Sequence, residues 1–218
     1  MTARLPDGRV LHGRHVRLEA AGLGHAEGLF EALDDERVWG SGYGGGPAGR
    51  PRDVREMAAL LAAADRSERQ AYVVRLQHTS TAGGAGTVVG TTSLGEADLV
   101  HERVHLGWTA YGPKWWGTFV NAECKLLMLG HAFDDCDFGR VKIQTDSLNQ
   151  RSQAAIAKLG ATREGVLRRH MRRADGTFRD TVVFSILKHE WPGVRDRLRA
   201  RLAAEVDGAT AQRASVGP

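Results

Sequence analysis

Between residues 70 and 110 the sequence carries three strand-like runs with no helical run between them, and no other feature limits the fold as much. Residues 71–76 read Ala-Tyr-Val-Val-Arg-Leu, 87–94 read Thr-Val-Val-Gly-Thr-Thr-Ser-Leu, and 104–109 read Val-His-Leu-Gly-Trp-Thr. β-Branched and aromatic side chains dominate, which suits a pleated, half-buried surface. A glycine-rich turn at 79–86 separates the first two runs and predicts that they pair as a hairpin.

Around this block the periodicity alternates. Residues 16–20 alternate apolar and polar side chains and predict a strand. Leu29, Phe30 and Leu33 predict a helix over 24–33, and Val54, Met57, Leu60 and Leu61 a second over 52–65. A long helix is predicted over 121–135, with Leu126, Leu127, Leu129, Ala132 and Phe133 as its buried side. A strand at 140–145 and a helix at 150–159, stopped by Gly160, come next. Strands at 164–170 and 181–187 lead to a terminal helix opened by Trp191-Pro192 and carrying Val194, Leu198 and Leu202. Residues 40–47, rich in glycine, are expected to form a flexible loop. The order β-α-α-β-β-β-α-β-α-β-β-α implies an α/β (α+β) fold: one mixed, mostly antiparallel central sheet flanked by helices.

The 218 residues, 42% hydrophobic, suffice for one compact core. A single domain over 1–206 is expected, with a small, polar, disordered tail at 207–218. No run approaches the roughly 20 apolar residues of a membrane-spanning helix. The first residues lack the apolar stretch of a secretory signal. Cys124 and Cys136 are the only cysteines; they share one predicted helix, too far apart along its axis for a disulfide. A cytoplasmic setting with no membrane partner follows as the expectation. The excess of 30 basic over 26 acidic residues is modest and suits an acidic ligand. Without a basic helix or an aromatic-basic stripe, it gives no argument for nucleic acid.

Residues 111–124 join the third strand of the block to the long helix. Backbone N–H groups at such a helix start have no internal partners and favour an anion, and Gly117 lets a phosphate come close to the main chain. The same residues have plainer readings, Asn121 as a helix cap and Trp115 and Trp116 as core.

Several stretches together resemble the GNAT superfamily of N-acetyltransferases, in the branch of the RimJ/RimL-type ribosomal-protein N-terminal acetyltransferases. They are Leu106-Gly107-Trp108, Pro113 with Trp116-Gly117, Asn149-Gln150-Arg151-Ser152, and Lys158-Leu159-Gly160-Ala161. Residues 163–168, Asp175-Gly176, Arg179-Asp180 and Glu190-Trp191-Pro192 follow, so the resemblance covers residues 14 to about 202.

The resemblance implies a GNAT-like fold, acetyl-CoA as co-substrate, no metal, and transfer of the acetyl group to a primary amine. The acceptor would be a small-molecule amine or a protein N-terminus; a homodimer is left open. A longer donor such as succinyl-CoA and a non-catalytic acyl-CoA-binding module are the alternative readings. The resemblance also implies that Trp116, Gly117, Thr118, Phe119, Val120 and Asn121 form the pyrophosphate-binding turn. Lys114 and Gly117 fit the family pattern there, whereas Phe119 stands where a small residue is usual. Asn149 would contact the pantetheine arm, and Ser152 would lie near the thioester sulfur as a catalytic residue whose hydroxyl can protonate the departing thiolate; the plainer reading is that Asn149 caps the helix and Ser152 completes that cap. The strand around Trp108 and Thr109 would polarise the carbonyl through a backbone N–H. Trp39 and Tyr43, beside the glycine-rich loop, would lie on the acceptor side.

Acyl transfer needs an amine stripped of its proton, so a base is required. Where the family commonly has a glutamate this chain has His105, a competent replacement because imidazole titrates near pH ~6.5. Glu102 and His170 are the other candidates. No Ser-His-Asp or Cys-His constellation stands out in the sequence and no spacing resembles a zinc site. Direct transfer without a covalent enzyme intermediate fits that pattern.

Overall fold

The structure, a computed structural model, describes residues 2–65, 69–78 and 83–214. Its strands are β1 (Leu11–His12), β2 (Val16–Ala20), β3 (Gln70–Leu76), β4 (Val88–Asp98), β5 (Arg103–Tyr111), β6 (Arg140–Asp146), β7 (Thr162–Arg172) and β8 (Phe178–Leu187). They form one sheet in the order β1-β2-β3-β4-β5-β6-β8-β7. Every neighbouring pair is antiparallel except β5 and β6. The exception follows from the chain: a helix separates those two strands, and a parallel pair needs such a crossover. The expected mixed, mostly antiparallel sheet is what forms.

The helices are α1 (Ala26–Leu33), α2 (Glu36–Gly40), α3 (Val54–Asp65), α4 (Phe119–Gly130), α5 (Gln150–Ala157) and α6 (Trp191–Ala214). They divide between the faces of the sheet. Leu29, Leu33, Trp39 and Met57 of the first three pack on Val73, Val88 and Ala110. Met128, Leu129, Ile156 and Val194 of the last three join Tyr72, Val74, Leu106 and Val141 on the opposite face. Tyr72, Val73 and Val74 are consecutive and split between the two cores, as strand alternation requires. Among the described residues no helix is long and apolar enough to cross a membrane.

Several details differ from expectation. α2 was not foreseen; it is a single short turn begun by Asp35, whose side chain accepts from Arg37 N. α4 gives way to a π-helical turn at His131–Asp135. Its buried side is Val120, Cys124, Met128 and Leu129, while Leu126 and Leu127 are half-buried. α6 runs to Ala214, and residues 215–218 of the tail expected at 207–218 lie outside the described residues. Cys124 and Cys136 are both buried and free.

One irregularity creates the site. Thr91 pairs with Ala110 and Ser93 with Gly107, so Thr92 alone opposes both Trp108 and Thr109. This β-bulge holds Trp108 at φ +48°, a left-handed conformation that a large aromatic residue rarely adopts. β5 and β6 pair only at Arg103–Arg140, Val104–Val141 and His105–Lys142. Beyond His105 the two strands separate, and the gap between them is the mouth of a cleft.

Candidate active site

The cleft has a volume of about 630 Å³. Its walls are the diverging ends of β5 and β6, the first turns of α4 and α5, the loop around Tyr43, and the β7–β8 hairpin near Arg173. Such a concave site at a break in a sheet is where a ligand gains the most contact.

His105 lies at the point of divergence and is only 3% exposed. Its Nδ1 is 3.2 Å from Glu96 Oε1, and its Nε2 is buried without a partner. Glu96 also pairs with Lys142 at 2.5 Å. The His105 hydrogen bond, opposed by burial and helped by Lys142, leaves Glu96 at about 2, so it stays ionised. An ionised carboxylate fixes the tautomer: Nδ1 carries the proton and Nε2 the free lone pair. Burial, outweighing the pull of Glu96, pushes the His105 pKa below the usual imidazole value. The imidazole packs against Trp108, ring centroids 4.6 Å apart. Gly107 leaves room for it, since a Cβ there would sit 2.5 Å from Nε2. The other two candidate bases do not reach the cleft. Glu102 sits in the β4–β5 turn beside Gly139, and His170 is exposed on β7. Three-residue offsets in sequence do not predict which side chain faces the gap; the sheet register does.

At the entrance of α4, Gly117 adopts φ +78° and Thr118 caps the helix, its Oγ1 accepting from Val120 N at 3.4 Å and donating to Trp115 O at 2.8 Å. Trp116, Gly117 and Asn121 line the cleft. Thr118, Phe119 and Val120 do not. Phe119 turns away and packs on His15, ring centroids 4.9 Å apart, and Val120 is fully buried in the core. The bulky Phe119 therefore does not obstruct the turn. The Arg151 guanidinium lies 3.4 Å from the centroid of the Trp116 ring. No carboxylate pairs with Arg151 among the described residues, and burial lowers its pKa.

At the entrance of α5, Asn149 is both cap and tether. Its Oδ1 accepts from Ser152 N at 2.9 Å, and its Nδ2 donates to Ser41 O at 2.7 Å. Ser152, Trp108 and Thr109 line the cleft. Residues 41–46, expected to be flexible, are instead tied at both ends. Asn149 holds Ser41, and Ala174 N donates to Gly45 O at 3.0 Å. Short 3₁₀ turns at Tyr43–Gly45 and Pro47–Gly49 use the positive φ values that glycine allows. Tyr43 lines the cleft, whereas Trp39 lies beneath it, 1% exposed, with ring centroids 5.1 Å apart.

Several residues of the cleft were missed. Glu96 and Asp146 are its only carboxylates among the described residues, and each is spent on a cation, Asp146 on Arg173 at 2.8 Å. Lys125 and Arg151 add positive charge without an acidic partner. Lys125 was readable, as a lysine between apolar residues on a buried helix; Glu96 was not, because only the strand register brings it to His105.

The structure also assembles a Cys-His-Asp group that the sequence did not suggest. Cys136 Sγ lies 3.8 Å from His131 Nε2, and His131 Nδ1 lies 2.8 Å from Asp135 Oδ2. Burial and the nearby carboxylates push the thiol up to about 11, so it stays protonated and is no nucleophile. None of the three lines the cleft. Among the described residues, no group of three or more His, Cys, Asp or Glu is placed to hold a metal ion.

A sequence profile of the GNAT acetyltransferase domain matches residues 15–162. The chain belongs to the GNAT acetyltransferase family. A solved GCN5-related N-acetyltransferase from Brucella melitensis is 25% identical to this GNAT protein, with a TM-score of 0.82 over 92% of this chain and 88% of that one. A solved "putative acetyltransferase" from T. thermophilus is 35% identical, with a TM-score of 0.76 over 89% of this chain and 97% of that one. The "Putative ribosomal N-acetyltransferase YdaF" of Bacillus subtilis (strain 168) is 31% identical over 109 residues, half of this chain and 58% of that protein's length. Its name agrees with the ribosomal-protein branch to which the motifs pointed.

Proposed function

We infer that the protein moves an acetyl group from acetyl-CoA directly to a primary amine. The observation that carries this is His105: a buried, neutral imidazole with a free Nε2, oriented by Glu96, at the point where β5 and β6 part. A base needs its lone pair aimed at the proton it removes and a pKa low enough to be empty at neutral pH. The lowered pKa supports the second, and an Nε2 with no partner in the fold supports the first.

The remaining groups fit the donor. The Gly117 turn and the start of α4 offer backbone N–H groups to a pyrophosphate, and Arg151 beside Trp116 adds a cation. Excess positive charge along the cleft suits a donor that carries phosphates. The displaced β5 backbone after Trp108 can present an N–H to the thioester carbonyl oxygen. Ser152 places a hydroxyl on the α5 wall for the sulfur. His105 Nε2 takes the amine proton as nitrogen attacks the carbonyl. The acceptor enters beside Tyr43, either a small-molecule amine or a protein N-terminus.

The test is thiol release from acetyl-CoA with a panel of small amines and peptides with free N-termini. At least one acceptor should raise the rate well above hydrolysis; CoA binding with none doing so would favour a non-catalytic binding module. Gly117→Val should weaken CoA binding about tenfold or more, because a β-branched residue at φ +78° costs upwards of 1–2 kcal/mol. Unchanged affinity by calorimetry would remove the turn from the phosphate site.

A further inference from the structure

Lys125, on α4, is 6% exposed, and no other lysine among the described residues is buried. Its Nζ donates to Thr109 Oγ1 at 2.9 Å. Thr109 Oγ1 is in turn 2.8 Å from Thr92 Oγ1, the residue opposite the bulge. An ammonium has three donors, and a single threonine oxygen uses one. No carboxylate among the described residues pairs with it. Burying an unpaired cation is unfavourable, and a methionine would fill the same space without that cost. Its one hydrogen bond, to Thr109, offsets little of that cost, yet Lys125 lines the cleft beside the bulge of β5, past the last β5–β6 pair at His105.

In the acyl-transfer reading, that part of the cleft holds the thioester, and the sulfur leaves with an electron pair that must be met by a proton. Ser152 lies on the facing wall, but among the described residues its Oγ makes no hydrogen bond within the fold. A hydroxyl so placed can hydrogen-bond a sulfur, yet has no protein group from which to regain a proton. Lys125 is a true acid.

We propose that Lys125 is a further catalytic residue, whose ammonium protonates the departing sulfur while Ser152 only hydrogen-bonds it. The amine nitrogen forms the C–N bond, the C–S bond breaks with its pair on sulfur, and Lys125 supplies the proton that makes the free thiol. His105 holds the proton lost by the amine; water in the cleft returns one to Lys125. The sum is acyl-CoA plus amine to amide plus CoA, with no other reactant. Burial lowers the Lys125 pKa from its ordinary value, toward the range in which an acid works at neutral pH.

This inference rests on the acyl-transfer reading, and the experiment separates the two. Lys125→Met in the full chain should lower kcat about 10²- to 10⁴-fold, with CoA affinity by calorimetry unchanged and Tm equal or higher. Wild-type kcat should fall at alkaline pH, below the ordinary lysine value of 10.5, and the variant should lack that limb. The titratable groups facing Lys125 are Cys124 on its own helix and Tyr111 and His105 on β5. Burial holds the first two up and the third down, and it is the absence of the limb in Lys125→Met that assigns it to Lys125. Lys125→Arg keeps the charge but cannot release a proton, so it should not rescue. Rescue by arginine, wild-type kcat in Lys125→Met, or a rate loss matched by lost CoA affinity or lower Tm would each overturn the acid role. A wild-type protein inert with every acceptor would instead overturn acyl transfer, and this role with it.

Discussion

His105→Ala should lower kcat/KM for acyl transfer by about 10²- to 10⁴-fold, the usual contribution of a positioned base, and leave CoA affinity unchanged. Burial is the largest influence on this imidazole and lowers its pKa; Glu96 opposes that and Lys142 and Lys125 add to it. The wild-type rate should therefore climb with pH through a value below ~6.5 and be flat at neutrality. Loss of that limb in the alanine variant would identify its source. The same shift has a consequence for stability. With the folded pKa depressed, the unfolded chain takes up the proton more readily, so His105 stabilises the fold above pH ~6.5 and less as pH falls. His105→Ala should flatten that part of the stability profile. A variant with wild-type kcat/KM would leave water as the proton acceptor and remove His105 from the mechanism.

Much of this fold was legible because it rests on short-range pattern. Residues 16–20 alternate cleanly and are the strand that forms, and Asn149 caps α5 as its motif suggested. What was not legible depends on register. Nothing in the spacing of Glu96 and His105 announces that they meet across a hairpin, because the β4–β5 pairing shifts twice, once after Thr91 and once after Gly95. Trp108 at positive φ is likewise invisible: tryptophan reads as an ordinary strand residue until the bulge is seen. Glycine content misled in the opposite direction. Residues 40–47 look like free chain, but most of the glycines are used where a side chain would collide or φ is positive, and tethers from Asn149 and Ala174 do the rest.

Trp39 tests that last point, because sequence reading put it on the acceptor and the structure puts it under the loop. Its indole is 1% exposed, Nε1 donates to Leu33 O at 2.8 Å, and its ring meets Tyr43 edge-on. Gly44 lies against the same ring, so closely that a Cβ would overlap it. Trp39→Ala removes that floor and leaves the Leu33 carbonyl without its donor. Losing a buried tryptophan costs about 3–5 kcal/mol, which for a chain of this size lowers Tm by roughly 6–20 °C. With the floor gone, Tyr43 and the turn around it lose their fixed position, while the Asn149–Ser41 tether remains. The acceptor KM should rise severalfold and by more than CoA affinity falls, because Tyr43 rests directly on the indole. A raised KM with an unchanged Tm would mean that the indole touches the acceptor itself. A lowered Tm with an unchanged KM would mean that Tyr43 is held by its tethers alone.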